Sequence, residues 1–247
     1  MEKRGQVTIF VIMAIILVAG ALLFLYTQTD ILGKRAERIP EIAPIRAEIQ
    51  NCLDSTALDA IKLVGLQGGY VFLPNQTFKS NLSEIAYAYY EGKKTFNSIS
   101  GIAKEISSYV SLILPQCVDF TKFPDFNVEQ RGITSSTIIQ NELVNVNARW
   151  SLLIKKADAS FSLDSFTTTI PIRLGLIYNI TNTIVNNEIQ EPNVIDASYF
   201  IDVNNLYGIN IDFLPNNETI VYSITDPYSK FHDQPLNYTF LFANKFR

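Results

Sequence analysis

An unbroken apolar run, Val7 to Tyr26, opens the pattern of this chain; it carries no charge, and its one clearly polar residue is Thr8. At about 1.5 Å of helical rise per residue, about 20 residues cross the ~30 Å hydrocarbon core of a bilayer. The run therefore predicts one transmembrane helix. Polar residues return at Gln28, Asp30, Lys34, Arg35, Glu37 and Arg38, which read as a stalk continuing the helix until Pro40 and Pro44 break it. From there onward polar and apolar positions alternate as in a water-soluble body.

A second helix is predicted to begin near Pro44, because Ile45, Ile49, Cys52, Leu53, Ala57, Ala60, Ile61 and Val64 recur at helical spacing and Gly65 suits its end. The Gly68-Gly69 pair marks a tight turn or a close backbone approach, without the lysine and further glycines of a phosphate loop. A short helix, Leu82 to Glu91, is predicted from Asn81 with Glu84 three residues on and from Gly92 behind it. Ile99, Ile102, Ile106, Tyr109, Val110 and Ile113 make the stripe of another helix, which Pro115 stops after Leu114. Antiparallel packing of the two long helices brings Cys117 beside Cys52.

The period changes near Phe120, where Val, Ile, Thr, Tyr and Phe begin to dominate. Strands are predicted at Asn127–Arg131, Thr134–Gln140, Leu143–Lys155, Ser160–Leu163 and Thr167–Arg173, then an amphipathic helix over Leu174–Ile189, then strands at Ala197–Val203, Ile209–Phe213, Thr219–Thr225 and Tyr238–Ala243. Short sequential strands favour hairpins and an antiparallel sheet. The expected fold is α+β. A single N-terminal transmembrane helix precedes a small helical subdomain over 41–118 and a C-terminal antiparallel β domain over 119–247 with one amphipathic helix.

The N-terminal run admits three readings. A secretory signal would be cut near Ala19-Gly20-Ala21, leaving an apolar stub from Leu22. A plain anchor would remain uncut; Lys3 and Arg4 flank it on one side and Lys34, Arg35 and Arg38 on the other, so charge alone does not orient it. The third reading rests on Lys3-Arg4-Gly5-Gln6-Val7-Thr8-Ile9-Phe10, where a Gly-Gln junction abuts the apolar run. Over roughly residues 1–26 this resembles the class III, prepilin-type signal peptide of archaeal type IV pilin-like proteins. The resemblance implies cleavage between Gly5 and Gln6 by a prepilin-type peptidase. Residues 1–5 are then a leader, and residues 6–40 a retained transmembrane helix and stalk. Pilin subunits usually carry Glu as the fifth mature residue, to meet the ammonium of a neighbouring subunit. Phe10 stands there, which fits a minor subunit or a monomeric user of the leader better than a major pilin.

Composition narrows the function classes. A net charge of −4 and a pI near 5.1 oppose nucleic-acid binding, which calls for a basic face. Cys52 and Cys117 are expected to form a disulfide, as suits a domain facing an oxidising exterior. Five Asn-x-Ser/Thr triplets, at Asn75, Asn81, Asn179, Asn217 and Asn237, permit surface glycosylation.

Candidate chemistry is thin. His232 is the only histidine and lies in a loop-like segment, so a His-based zinc site is excluded by count. No Gly-x-Ser-x-Gly elbow occurs. Asp196, Asp202, Asp212 and Asp226 recur near the last strands and are expected to cap turns and face water rather than hold calcium. The Tyr87, Tyr89 and Tyr90 cluster and Trp150 are expected to pack. No catalytic residue, cofactor or metal site is expected. The chain reads as a non-enzymatic, single-pass surface protein of the cell membrane with its body outside, serving structure, adhesion or appendage assembly. The expected partners are the membrane, the prepilin-type peptidase and a surface or pilus-like protein. The rival readings are a tethered extracellular hydrolase and a solute-binding receptor.

Overall fold

The computed structural model describes residues 17–18, 41–80, 83–192, 194–230 and 237–246. The class is α+β. Residues from Ala47 onward form one compact unit. Nearly all of the apolar run, with Gly5, Gln6 and Phe10, lies outside the described residues; its two described members, Leu17 and Val18, are helical and exposed. No helix among the described residues is long and apolar enough to cross a membrane.

Helix α1 covers 41–66. From Ile49 to Val64 its inward stripe falls on Leu53, Ala57, Ala60 and Ile61, all fully buried. After it come β1 (Thr77–Lys79), β2 (Glu84–Tyr90), β3 (Lys93–Lys94) and helix α2 (Ile99–Cys117). A 3-10 turn, Phe120–Lys122, leads to β4 (Asn127–Ile139), β5 (Val144–Lys156) and β6 (Ala159–Ile170). Helices α3 (Leu174–Gln190) and α4 (Ala197–Tyr207) precede β7 (Asn210–Asn216), β8 (Thr219–Lys230) and β9 (Asn237–Lys245).

Two sheets result. The first runs β1-β2-β9-β8-β7, with β3 paired to β2 off that path; the second is the meander β4-β5-β6. All pairings are antiparallel except β2 with β9, which lie parallel. The stretch read as a helical subdomain thus also supplies strands β1 to β3 to the sheet that holds the chain's last strands. Strand β5 alternates as its sequence demands: Val144, Val146, Ala148, Trp150, Leu152 and Ile154 are buried. On α2 the buried stripe is Ile102, Ile106, Val110 and Leu114, each worth about 1.5–3 kcal/mol of burial.

Several predicted elements need correction. Leu82–Glu91 is not a helix; Glu84–Tyr90 is strand β2. The cap-like Glu84 accepts a hydrogen bond from the Thr77 hydroxyl (2.6 Å) across the β1–β2 pair. Gly92 does not end a helix. With Glu91 (φ 45°) and Gly92 (φ 85°) both left-handed, it completes a two-residue hairpin turn into β3. Ala197–Val203 is not a strand but most of α4. Its N-cap is Asp196, whose side chain accepts from the Tyr199 amide (3.1 Å), and Gly208 (φ 67°) closes it in the left-handed conformation. Helix α2 runs through Pro115 to Cys117, where the Val118 amide bonds back to Leu114. The split strands 127–131 and 134–140 are one strand broken by a register shift between Gln130 and Ile133, and 160–163 and 167–173 likewise fuse into β6. At Gly68 (φ 72°), a Cβ would lie 2.9 Å from the Ala86 carbonyl oxygen, the close backbone approach that the paired glycines signal.

Candidate functional site

Cys52 on α1 and Cys117 at the end of α2 come to bonding distance, with Cα atoms 5.7 Å apart. The pair ties together two helices 65 residues apart in sequence. Asn75, Asn217 and Asn237 are exposed, at a bend, at the β7–β8 turn and at the start of β9. Asn179 is exposed on α3, but the hydroxyl of its triplet partner Thr181 is fully buried. Asn81 and His232 lie outside the described residues.

The four aspartates do not converge. Asp196 caps α4, while Asp202 and Asp212 are exposed on α4 and β7. No cluster of three or more His, Cys, Asp or Glu groups with metal-binding spacing occurs among the described residues. Asp226 departs from the expectation of a water-facing cap: it is fully buried. Its carboxylate accepts from Arg173 Nε (2.9 Å) and Nη2 (2.5 Å), from the Ser229 hydroxyl (2.5 Å) and from the Tyr228 amide (3.0 Å). Burial pushes the Asp226 carboxyl up, but those donors outweigh it and hold the group below the usual carboxylate range. Arg173 also donates to the Tyr207 carbonyl (3.1 Å) and lies under the Tyr228 ring at 4.9 Å. This cluster joins the β6–α3 corner, the end of α4 and the bulge of β8 into one clamp.

A second buried carboxylate, Glu188 on α3, has no such counter-ion among the described residues. It accepts from the Tyr222 hydroxyl and from Asn244 Nδ2. Burial raises it to about 7, with the Asn244 hydrogen bond opposing. Sequence reading missed it, although the signal is present: Thr181, Ile184, Val185 and Glu188 share one helical stripe, so a carboxylate sits in an otherwise inward row.

The described surface also holds a shallow groove between α2 and β4, in two adjoining stretches of about 500 and 530 Å³. Its walls carry Ser107 and Ser111 opposite Thr137 and Ser135, hydroxyl to hydroxyl at 2.8 Å, with Lys104 between the stretches. Neither carboxylate nor imidazole lines it. Small hydroxylated residues let the helix approach the edge strand closely, and the groove offers hydroxyl groups beside a single lysine. The tyrosines of β2 are half-buried, Tyr87 against Tyr90 (5.1 Å) and Tyr89 against Phe246 (5.4 Å), and Trp150 is buried against Phe120.

No family model, no curated protein and no solved structure matches this chain.

Proposed function

We propose that this chain is a membrane-anchored, pilin-like surface protein whose body is displayed outside the cell, with a structural, adhesive or appendage-assembly role. The reading is carried by one observation: the Gly5-Gln6 junction stands directly behind Lys3-Arg4 and directly before the charge-free run to Tyr26. A membrane peptidase cutting there leaves residues 6–40 as anchor and stalk. Two features of the body support an outside location. Cys52 and Cys117 stand at disulfide-bonding distance, which suits an oxidising compartment. Three acceptor-type triplets present their asparagine to solvent, at Asn75, Asn217 and Asn237. The function follows from display: the lipid-embedded helix sets position, the cross-linked body keeps its shape, and its exposed surface meets a surface or pilus-like partner. Phe10 removes the carboxylate through which neighbouring pilins pair, so the role is that of a minor or solitary member.

Mass spectrometry of the N-terminus of the protein isolated from its native membrane tests this. A chain beginning at Gln6 is the expected result. One beginning at Met1 or near Leu22 overturns prepilin-type processing.

A further inference from the structure

We propose that Glu188 is a pH-sensitive latch for α4, keeping that helix docked while its carboxyl is neutral and loosening it as the carboxylate forms. Glu188 is only 3% exposed, and its two hydrogen-bond partners, Tyr222 and Asn244, are uncharged. No lysine or arginine bonds it among the described residues. Lys245 follows Asn244 in β9, but its ammonium is held by Glu91. The groups facing Glu188 from elsewhere are Asp196 and Tyr199, which line the same small cavity from the start of α4, and Asn187 from its own helix. Asp196 is exposed and engaged as the cap of α4, and Lys94, which reaches α3 from β3, donates to Asn182 and Asn186 rather than to Glu188. A buried carboxylate without a cation is costly, while the neutral acid is not. The Oδ1 of Asn244 is buried without a hydrogen-bond partner, and a protonated Glu188 brings an O–H donor beside that amide.

The way to water runs under α4. A cavity of about 10 Å³ lies beside Glu188, walled by Tyr199 and Phe200, with space for about one water molecule. The wall is lightly held. Val203 is the sole buried residue of α4, while Ile201 and Leu206 are exposed. Phe200 meets Tyr222 and Phe213 at ring distances of 6.3 and 6.2 Å. The end of α4 is held at Tyr207 by the Arg173 clamp, but its first turns, with so few buried contacts, open at low free-energy cost. Solvating the carboxylate thus means moving Tyr199 and Phe200 rather than unfolding the sheet. The upward displacement of the Glu188 carboxyl to about 7 places this response in the neutral range.

The test is hydrogen–deuterium exchange of the full chain in detergent micelles, between about pH 5 and 8.5, corrected for intrinsic exchange. In the open state Glu188 ionises normally, so opening becomes easier by about tenfold per pH unit up to about pH 7 and levels off above it. The expected result is that slope in α4 peptides and its absence in β5 peptides. Glu188→Gln, which mimics the neutral acid, should flatten the α4 profile, and Asp196→Asn should leave the slope in place. A wild-type α4 profile independent of pH, an unchanged slope in Glu188→Gln, or the same slope in β5 overturns the proposal. If Glu188→Gln does not fold, the wild-type contrast between α4 and β5 decides alone.

Discussion

Replacing Asp226 with alanine removes the acceptor at the centre of the clamp and leaves Arg173 behind. The Arg173 side chain is 14% exposed and the Asp226 side chain 0%, so solvent does little to compensate the stranded guanidinium. Breaking one partner out of a buried pair of this kind costs about 3–5 kcal/mol. The Ser229 hydroxyl and Tyr228 amide also lose their acceptor, which places the loss toward the upper end of that range. Urea unfolding of the full chain, followed by the fluorescence of Trp150, reads it out. Trp150 is the only tryptophan and is 1% exposed, so its emission reports loss of the β5 core. With a slope of about 2 kcal/mol per molar urea, the midpoint should fall by about 1.5–2.5 M. The double variant Arg173→Met with Asp226→Leu removes both charges and should recover the part of the loss due to the stranded guanidinium, while the Ser229 hydroxyl and Tyr228 amide still lack their acceptor. A shift below ~0.5 M for Asp226→Ala would falsify the claim that this pair is desolvated and mutually required. The same carboxyl sets an acid limit. Its folded-state pKa is depressed, so its contribution is complete above the ordinary aspartate range and is lost as pH falls through the lower folded value. Asp226→Asn should lack that acid limb.

Two further predictions concern the whole body. Reducing the Cys52–Cys117 bridge, or replacing both residues with serine, releases a loop of 65 residues and should lower stability by about 4 kcal/mol in the chain-entropy account; a urea midpoint unaffected by reductant would refute it. Glu188 should give a slope of opposite sign to that of Asp226. Its carboxyl rises from 4.5 unfolded to about 7 folded, so its contribution is complete below the unfolded value and is lost as pH rises through the folded one, about 3 kcal/mol in all. Urea titrations from about pH 4 to 8 should show wild-type stability falling over that window and Glu188→Gln holding level.

Much of this architecture was legible from periodicity alone, and the errors have common causes. The β5 alternation and the stripes of α1, α2 and α3 are long, so their period outweighs local noise. The seven residues of β2 misled because Asn81 and Glu84 imitate a capping box, and Ala86 and Ala88 favour a helix in isolation. Pairing with β9, more than a hundred residues away, decides that segment instead, and no local signal reports it. The α4 error runs the other way. Tyr199, Phe200, Ile201 and Val203 look like strand residues, yet the Asp196 cap and the Gly208 stop were both present in the sequence and outweigh them. The disulfide was legible from two signals taken together, an antiparallel packing of the two long helices that sets Cys117 beside Cys52 and an exterior that favours the bridge. The Gly5-Gln6 site is wholly a sequence observation, lying outside the described residues.

The two buried carboxylates show where sequence reading stops. Asp226 and Glu188 are both acids removed from water, and burial pushes both toward neutrality. They end on opposite sides of their ordinary values because Arg173, at the corner between β6 and α3, reaches the β8 bulge, whereas among the described residues no cation bonds Glu188, and Lys94 stops at Asn182 and Asn186 of the same helix. Which acid receives the counter-charge depends on how the corner of one sheet meets the bulge of the other, a relation between residues 53 apart in the chain. The acids themselves can be read one position at a time; their charge states cannot. The same geometry also separates their consequences. The acid paired with Arg173 fastens three elements together and favours a rigid region, while the acid pushed toward neutrality rests behind a thin helix with one buried side chain. Any conformational response of this body to its surroundings should therefore begin at α4, on the side away from the clamp's anchor at Arg173.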